Sequence, residues 1–470
     1  METTSGALEK QEETNFIARF ALAATRWTQR WMPDAFIFAL LATVIVIIAA
    51  FILDPEVRAN PFKLATAWGH GFWSLLTFSM QASLTIVTGS ALATTPPARK
   101  LIDVIAGKVH SRAGAVATVA FFSMVAGYLN WAFSLIFSAI LAKEFARRIP
   151  KVDYRALAAC SFMCMGSVWA QGLSSSAALF MATPGSMPEA LVKLVGGLIP
   201  LTDTIFLWQS LASVAVEVVL VTIIAYKFTP PAHAAVTAED LGIDLHEDVT
   251  RNNKHSRPGE YLEYSPLLTI IFTIISVAYI YETFAKKGMP ALDLNMVNFI
   301  FLIGALLLHW RPIHFMHSMR DATPAIWGVV LQFPFYAGIF GLIVGTNVSS
   351  AMAHFFIDIS NQYVYPVVVG IYSVILGIAV PSGGSKWIIE APYLVAAAQH
   401  YHMHLGWLVS IYNLGEAMAN LLQPFWMLPV LGMMHLKARD VMGFTFIFAT
   451  FLIPVVLLMA FLFNLTLSPV

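Results

Sequence analysis

The feature of this sequence that most restricts its fold is Ala35–Leu53, a run of 19 residues without a single charge. About 20 apolar residues in an α-helix span the roughly 30 Å hydrocarbon core of a bilayer. Similar apolar runs recur to the end of the chain, at 72–93, 113–142, 156–182, 204–226, 266–281, 296–310, 323–344, 364–380, 386–398, 405–431 and 441–465. Because backbone polar groups in hydrocarbon must be bonded within the protein, we predict that these runs are helices.

The composition excludes several classes of function. Charged residues make up 11% of the chain, whereas soluble domains carry about 25%. Lys and Arg balance Asp and Glu at 27 each, so no overall field favours a nucleic-acid partner. The sequence has no GxGxxG or Walker motif, and Cys160 and Cys164 stand in an apolar stretch where they are expected to pack. We therefore expect a membrane protein without cofactor, metal or nucleic acid.

Basic residues beside the apolar runs predict orientation, because loops rich in Lys and Arg stay in the cytoplasm. The run 113–142 has Arg112 before it and Lys143 after it, so both of its ends are expected on one side. Such a run is a re-entrant hairpin, bent here at 127–130. A second hairpin, bent at 381–384, lacks Lys and Arg at its flanks and is expected to enter from outside. The predicted fold is an all-α bundle with about nine crossings and two re-entrant hairpins.

Polar residues also repeat at a nearly constant distance along the chain. The pairs are Gln81 with Gln332, Asn130 with Pro381, and Gln171 with Gln423, at offsets of 251, 251 and 252 residues. Repeats of opposite orientation are a common architecture of secondary transporters, and we predict one here. The segments are a cytoplasmic N-terminus with an interfacial helix at 1–34, a first repeat at 35–226 with its hairpin at 113–146, a cytoplasmic linker at 227–264, and a second repeat at 265–470 with its hairpin at 364–400.

Four breaks in the apolar runs mark the candidate binding site. They lie at 127–131, 171–176, 381–385 and 420–424, two in each half. Inverted-repeat carriers bind substrate where broken helices meet, and a helix N-terminus favours a carboxylate. The helices that start after Ser174 and after Gly384 are the best candidates for this role. The predicted substrate-binding residues are Asn130, Trp131, Gln171, Ser174, Ser175, Thr183, Ser382, Gly383, Gly384, Ser385, Asn420 and Gln423.

Several polar residues in the runs have two interpretations. The candidates for binding a coupling ion are Asn130, Ser174, Ser382, Glu416 and Asn420, although a single serine also suits close helix packing. Glu416 is either a proton carrier or a buried acid bonded to Asn413 or Asn420. Lys386 pairs either with the substrate carboxylate or with Glu390, one helical turn further on. Glu217 is expected either to have a scaffold role or to extend its side chain to the membrane surface, and His400, His402 and His404 are expected to lie in a solvated turn.

At these positions the sequence resembles the short-chain fatty acid transporter family, the acetoacetate and butyrate carriers of bacterial inner membranes. The matching stretches are 30–34 (RWMPD), 68–73 (WGHGFW), 130–131 (NW), 182–185 (ATPG), 332–339 (QFPFYAGI), 379–384 (AVPSGG) and 423–426 (QPFW). The resemblance covers nearly the whole chain. It implies a multi-pass secondary carrier for small monocarboxylates, and the wider ion-transporter superfamily implies an elevator mechanism and often a homodimer.

We therefore expect secondary active transport of short-chain fatty acids, such as acetoacetate or butyrate, together with sodium or a proton in a lipid membrane. The fatty-acid tail is expected to pack on Trp131, Phe335 or Trp387. The alternative is a carrier or exchanger of other small organic anions such as dicarboxylates, but several cations would then be needed at the breaks, where only Lys386 stands. An intramembrane hydrolase would need a histidine facing Ser382 or Ser385. No span supplies one at that depth, so no enzyme is expected.

Overall fold

The computed structural model describes residues 35–245 and 257–468. Within these ranges the chain forms α-helices and short 3-10 turns, with no strand, which confirms the predicted all-α fold. The predicted interfacial helix in 1–34 and part of the predicted linker lie outside the described residues.

The first half of the chain, up to residue 227, contains eleven described α-helices. They are α1 Ala35–Leu53, α2 Pro55–Ala59, α3 Phe62–Phe72, α4 Leu76–Ala93, α5 Pro96–Ala106, α6 Arg112–Leu129, α7 Trp131–Arg148, α8 Tyr154–Ser161, α9 Ser176–Ala182, α10 Glu189–Val195 and α11 Trp208–Lys227.

The second half contains another eleven in its described part. They are α12 Glu260–Tyr264, α13 Pro266–Lys287, α14 Leu294–His309, α15 Pro312–Ala322, α16 Trp327–Val344, α17 Val348–Ile359, α18 Tyr365–Ala379, α19 Gly383–His400, α20 Leu405–Ala419, α21 Leu428–Met434 and α22 Ala438–Asn464.

The same order of helices occurs twice. Helices α4 to α9 correspond to α16 to α21, and each later helix begins 251 to 253 residues after its counterpart. This spacing agrees with the offsets between the repeated polar residues in the sequence. The opposite orientation of the two repeats and the number of crossings stay predictions.

Six segments of the described chain are long and apolar enough to cross a bilayer: Leu76–Ala93, Arg112–Leu129, Trp208–Lys227, Pro266–Lys287, Pro312–Val344 and Ala438–Asn464. The least buried is α13, whose buried side chains are only Thr269 and Ser276. An exposed helix this apolar is stable in lipid, because the acyl chains are as apolar as its side chains.

Each repeat contains a pair of helices joined by a very short turn at the predicted tip. Asn130 alone separates α6 from α7, because its extended backbone (φ −159°, ψ 125°) ends one helix and its side chain caps the next. Residues 380–382 separate α18 from α19, where Pro381 has no N–H to continue the helical hydrogen bonds.

Each repeat also contains a helix broken in the middle. The second break runs from Asn420 to Met427 and includes the predicted residues 420–424. The first break is longer than the predicted 171–176: α8 ends at Ser161, and regular α-helix resumes only at Ser176. Close packing between the two breaks explains the difference, because a Cβ added at Gly166 would lie 2.2 Å from Leu421 Cδ2. At Gly166 the backbone of the first break packs directly against the Leu421 side chain and leaves no room for a side chain at this position.

Asp153 fixes the start of the first broken helix to the linker. Its side chain is buried and accepts hydrogen bonds from the backbone N–H groups of Arg155, Ala156 and Val236, all at 3.0 Å. It also forms an ion pair with Arg155 at 2.8 Å.

We expect Asp153→Ala to destabilise the protein by about 3 kcal/mol, because it removes a helix cap and leaves a partly buried guanidinium unpaired. The measurement is the thermal unfolding midpoint of the purified protein in detergent. Asp103→Ala is the matched control, since Asp103 pairs with Arg148 at the surface and its side chain is 64% exposed. Equal midpoints for the two variants would contradict this account of the Asp153 cap.

Candidate functional site

The two hairpin tips and the two helix breaks surround one cavity. It has a volume of about 1030 Å³ when its open mouth is included. The hairpins supply Trp131, Pro381, Ser382, Gly383 and Gly384, the breaks supply Met165, Trp169, Ser174, Phe425 and Trp426, and Ser176 and Leu179 follow from α9. The wall is completed by Phe78, Ala82, Thr85, Ile86, Leu294, Ala325, Trp327, Gly328, Val329, Gln332 and Phe333. None of these lining residues is charged.

At the first hairpin tip the protein satisfies its own backbone. Asn130 Oδ1 accepts the N–H of Phe133 at 3.0 Å, and its Nδ2 donates to the carbonyl of Thr85 at 3.2 Å. The N–H of Trp131 donates to Ser174 Oγ at 2.9 Å. Asn130 is buried and does not line the cavity, whereas Trp131 does. Two of the first three N–H groups of α7, those of Trp131 and Phe133, are therefore bonded to protein side chains.

At the second hairpin tip the equivalent backbone is open. Ser382 makes no capping hydrogen bond, and its hydroxyl lies against that of Ser385 instead. The N–H groups of Gly383, Gly384 and Ser385 have no acceptor among the described residues. Helix N-termini carry unpaired N–H donors and a partial positive charge. Since Ser382, Gly383 and Gly384 line the cavity, this N-terminus is suited to bind an anion there.

The two glycines allow this tip to approach the first helix break. A Cβ added at Gly384 would lie 3.0 Å from Phe78 Cζ and from Ser176 Cβ. A Cβ at Gly383 would lie 2.8 Å from Asn413 Oδ1 and from the Trp169 ring. Side chains at these two positions would thus narrow the cavity in front of the free N–H groups.

The polar residues of the first break divide into two groups. Ser174 faces the cavity, while the Ser175 hydroxyl donates to the carbonyl of Ala170 and accepts from Asn413 at 2.8 Å. Gln171 is completely buried, and neither its side-chain oxygen nor its nitrogen has a partner among the described residues. Thr183 does not line the cavity, but its hydroxyl accepts the N–H of the lining residue Leu294 at 2.9 Å.

The polar residues of the second break bind protein groups instead of lining the cavity. Asn420 Nδ2 donates to the carbonyl of Met165 in the first break at 2.9 Å. Gln423 Nε2 donates to Asn420 Oδ1 at 2.7 Å, and its Oε1 accepts the N–H of Phe425 at 2.6 Å. These amides join the two breaks to each other. Asn420 and Gln423 therefore support the site from behind.

Two tryptophans connect the tips across the cavity. Trp426 Nε1 donates to the carbonyl of Pro381 at 2.8 Å, and its ring meets that of Trp131 edge-on with centroids 5.2 Å apart. Trp426 stands in the stretch QPFW that carries the family resemblance, which is the signal that could have placed it at the site. Gln332 and Phe333 stand in the stretch QFPFYAGI, which carries the same resemblance. Phe78 carries no comparable signal, because it comes from a helix without a break.

Phe335 and Trp387, expected against the substrate tail, lie elsewhere. Phe335 packs on Trp68 and Phe72, and Trp387 is fully buried with its ring 4.9 Å from that of Tyr412. Successive helical residues point about 100° apart, which explains why Phe333 faces the cavity and Phe335 does not.

Behind the second tip lies a buried ion pair. Lys386 Nζ is 2.6 Å from Glu416 Oε2, with the two side chains 1% and 0% exposed. The same amine donates to the carbonyl of Ser373 at 2.8 Å. The sequence offered Glu390 or the substrate as partners for Lys386, and Asn413 or Asn420 for Glu416. The partners Glu390, Asn413 and Asn420 are wrong, because the Lys386 side chain reaches across to Glu416 on α20, which is distant in sequence. The pairing of Lys386 with a substrate carboxylate stays a prediction.

His404 caps a helix, since its Nδ1 accepts the N–H of Trp407 at the start of α20. Glu217 is fully buried in α11, and neither of its carboxyl oxygens has a hydrogen-bond partner in the described chain. Neither residue lines the cavity.

Comparison with solved structures identifies a protein with the same fold. The crystal structure of the Alcanivorax borkumensis YdaH transporter, described as having an unusual topology, superposes with a TM-score of 0.59 over 92% of this chain and 98% of its own, at 15% identity. That similarity shows a shared fold.

Sequence relatives are closer. A protein of Escherichia coli K12, named as a proposed short-chain fatty acid transporter, is 36% identical over 91% of this chain and 96% of its own. A protein of Haemophilus influenzae Rd with the same name is 34% identical over 93% and 98%. The sequence model of the family described as "Short chain fatty acid transporter" matches residues 16–464. The chain therefore belongs to the short-chain fatty acid transporter family.

Proposed function

We propose that this protein is a secondary active transporter that carries short-chain fatty acids, small monocarboxylates such as acetoacetate or butyrate, together with a cation. The observation that carries the proposal is the open N-terminus of α19. Three of its N–H groups are free, and two of the residues that carry them, Gly383 and Gly384, line a cavity without charged side chains. The carboxylate is bound there, between Ser382 and Gly384.

The charge at the site favours one carboxylate over two. A helix N-terminus provides about half an elementary positive charge. Lys386, the nearest cation, is neutralised by Glu416 and does not line the cavity. A dicarboxylate would place its second charge against a largely apolar wall that holds no cation to pair with it. The alternative of a dicarboxylate carrier is therefore disfavoured.

The apolar wall is suited to a short alkyl chain. Phe78, Trp131, Phe333 and Trp426 provide aromatic surface around the anion site. Each methylene buried there contributes about 0.8 kcal/mol. Longer acids within the short-chain range are expected to bind more tightly until the cavity is filled.

The wider mechanism follows from the two repeats. The hairpins and broken helices hold the substrate and move together against the remaining helices, as in an elevator.

The protein works as a multi-pass protein of the bacterial inner membrane, and the apolar surface of α13 is covered by lipid or by a second copy. The family consists of transporters, and no histidine in the described chain lines the cavity to activate a serine.

We expect proteoliposomes with the purified protein to take up labelled butyrate faster than empty liposomes, and unlabelled succinate to compete poorly. Ser382→Ala is expected to lower the uptake rate about tenfold, because a hydrogen bond to a charged group is lost. Ser138→Ala is the control, since the Ser138 hydroxyl is buried without a hydrogen-bond partner among the described residues. If empty liposomes take up butyrate at the same rate as the proteoliposomes, the proposed function is contradicted.

A second test narrows the cavity. Gly384→Ala places a methyl group 3.0 Å from Phe78 and Ser176, and we expect it to raise the KM for butyrate while the protein stays folded, because alanine favours the helix. In Gly443→Ala the new methyl group would have no atom within 4 Å, so uptake should match that of the wild type. A normal KM in Gly384→Ala would place the substrate elsewhere.

A further inference from the structure

Three charged side chains are buried together directly behind the anion site. They are Lys386 and Glu390 on α19 and Glu416 on α20, each at most 2% exposed. The ion pair of Lys386 with Glu416 leaves Glu390 without a cation of its own, since no Lys or Arg of the described chain lies within ion-pair distance of it. A fully buried, unpaired carboxylate is strongly unfavourable, so this cluster of one base and two acids is suited to hold a proton.

Tyr412 lies between Glu390 and Lys386. Its hydroxyl donates to Glu390 Oε2 at 2.6 Å, and its ring lies 5.0 Å from Lys386 Nζ. Glu416 Oε1 has no hydrogen-bond partner among the described residues. The cluster thus has an unused carboxyl oxygen and a hydroxyl that can donate to either a charged or a neutral acid.

The other titratable groups on the helices packed against α19 do not neutralise Glu390. Tyr372 and Tyr393 bond to each other at 2.9 Å beside it, and Tyr336 of α16 bonds to Gln332. Further away, Glu189 and Lys193 of α10 form a surface pair, His354 and Asp358 of α17 are exposed, and α9 contains no titratable residue.

The cluster is close enough to the anion site to respond to it. A Cβ added at Gly383 would lie 3.3 Å from Glu416 Cγ, and the N–H of Lys386 donates to the carbonyl of Ser382 at 3.0 Å. The lining residues Ser382 and Gly383 therefore separate a bound carboxylate from the cluster by one layer of backbone. A carboxylate bound at the tip raises the affinity of the cluster for a proton. By linkage, a proton bound to the cluster raises the affinity for the carboxylate by the same factor.

We propose that the Lys386–Glu416–Glu390 cluster is the binding site for a coupling proton, so that the fatty-acid anion and H⁺ cross the membrane together. This inference rests on the proposed function and identifies its cation. The O–H bond that forms on a cluster carboxylate on one side of the membrane breaks on the other side, and the anion is released with the proton. No other bond changes.

The test separates proton coupling from substrate binding. Wild-type and Glu390→Gln proteins are reconstituted in liposomes, and labelled butyrate is measured in three assays. Two are run without sodium: accumulation driven by an imposed pH gradient, and counterflow exchange against internal unlabelled butyrate. The third measures accumulation driven by a sodium gradient at equal pH on both sides. We expect Glu390→Gln to lose gradient-driven accumulation by about tenfold or more and to retain counterflow, which needs no net proton movement. Glu217→Gln, the same change at another fully buried glutamate, should retain both.

The outcomes distinguish failure of the proton site from failure of the proposed function. Wild-type accumulation that follows a sodium gradient and ignores a pH gradient overturns the proton site and leaves the transporter in place. Normal proton-driven accumulation in Glu390→Gln, or its loss in Glu217→Gln alone, also overturns it. Absence of butyrate counterflow in the wild type contradicts the proposed function itself. If Glu390→Gln does not fold, Tyr412→Phe keeps the acid and removes its donor, and an unchanged pH profile of uptake in that variant overturns the proposal.

Discussion

The structure depends on how helices that are interrupted within an apolar bundle find partners for their backbone groups. Water cannot reach these groups from lipid, so every break must be satisfied by side chains or remain open to a ligand. Here amide side chains do most of this work, within the first half and between the two halves. Asn130 reaches Thr85, Asn413 reaches Ala170, and Asn420 reaches Met165. The two breaks are therefore hydrogen-bonded to each other, and the cavity lies where these hydrogen bonds end.

The two hairpins solve the same problem in different ways. In the first, Ser174 and Asn130 take up the N–H groups at the start of α7. In the second, the corresponding groups of Gly383, Gly384 and Ser385 stay free, because Ser382 turns its hydroxyl to Ser385. A repeated sequence has thus produced one structural tip and one tip suited to a ligand. This difference explains how a site for an anion exists without a cationic side chain in its wall.

The sequence predicted the fold class, the spacing of the repeat and the places where the helices are interrupted, because these follow from local signals. An uncharged run, a lone Asn130 or a Pro381 in such a run each has a direct structural meaning. The sequence did not predict the partner of Lys386, since Glu390 is near in sequence and Glu416 is near only in space. It also placed Asn420 and Gln423 at the substrate, although both hold the two breaks together. Which face of a broken helix points to the cavity depends on packing between distant segments, and no local pattern encodes that packing.

The constant spacing of 251 to 253 residues between corresponding helices has a consequence for how such a chain can change in length. A residue inserted in α6, α7, α18 or α19 would rotate the following helix by about 100° and displace one tip from its contacts. Trp131 and Trp426 would then no longer meet. Insertions and deletions are consequently tolerable only where no tip depends on the register, as in the connection between the two repeats or around α10. The two repeats are therefore expected to keep a fixed length, whereas the segments that join them can vary in length.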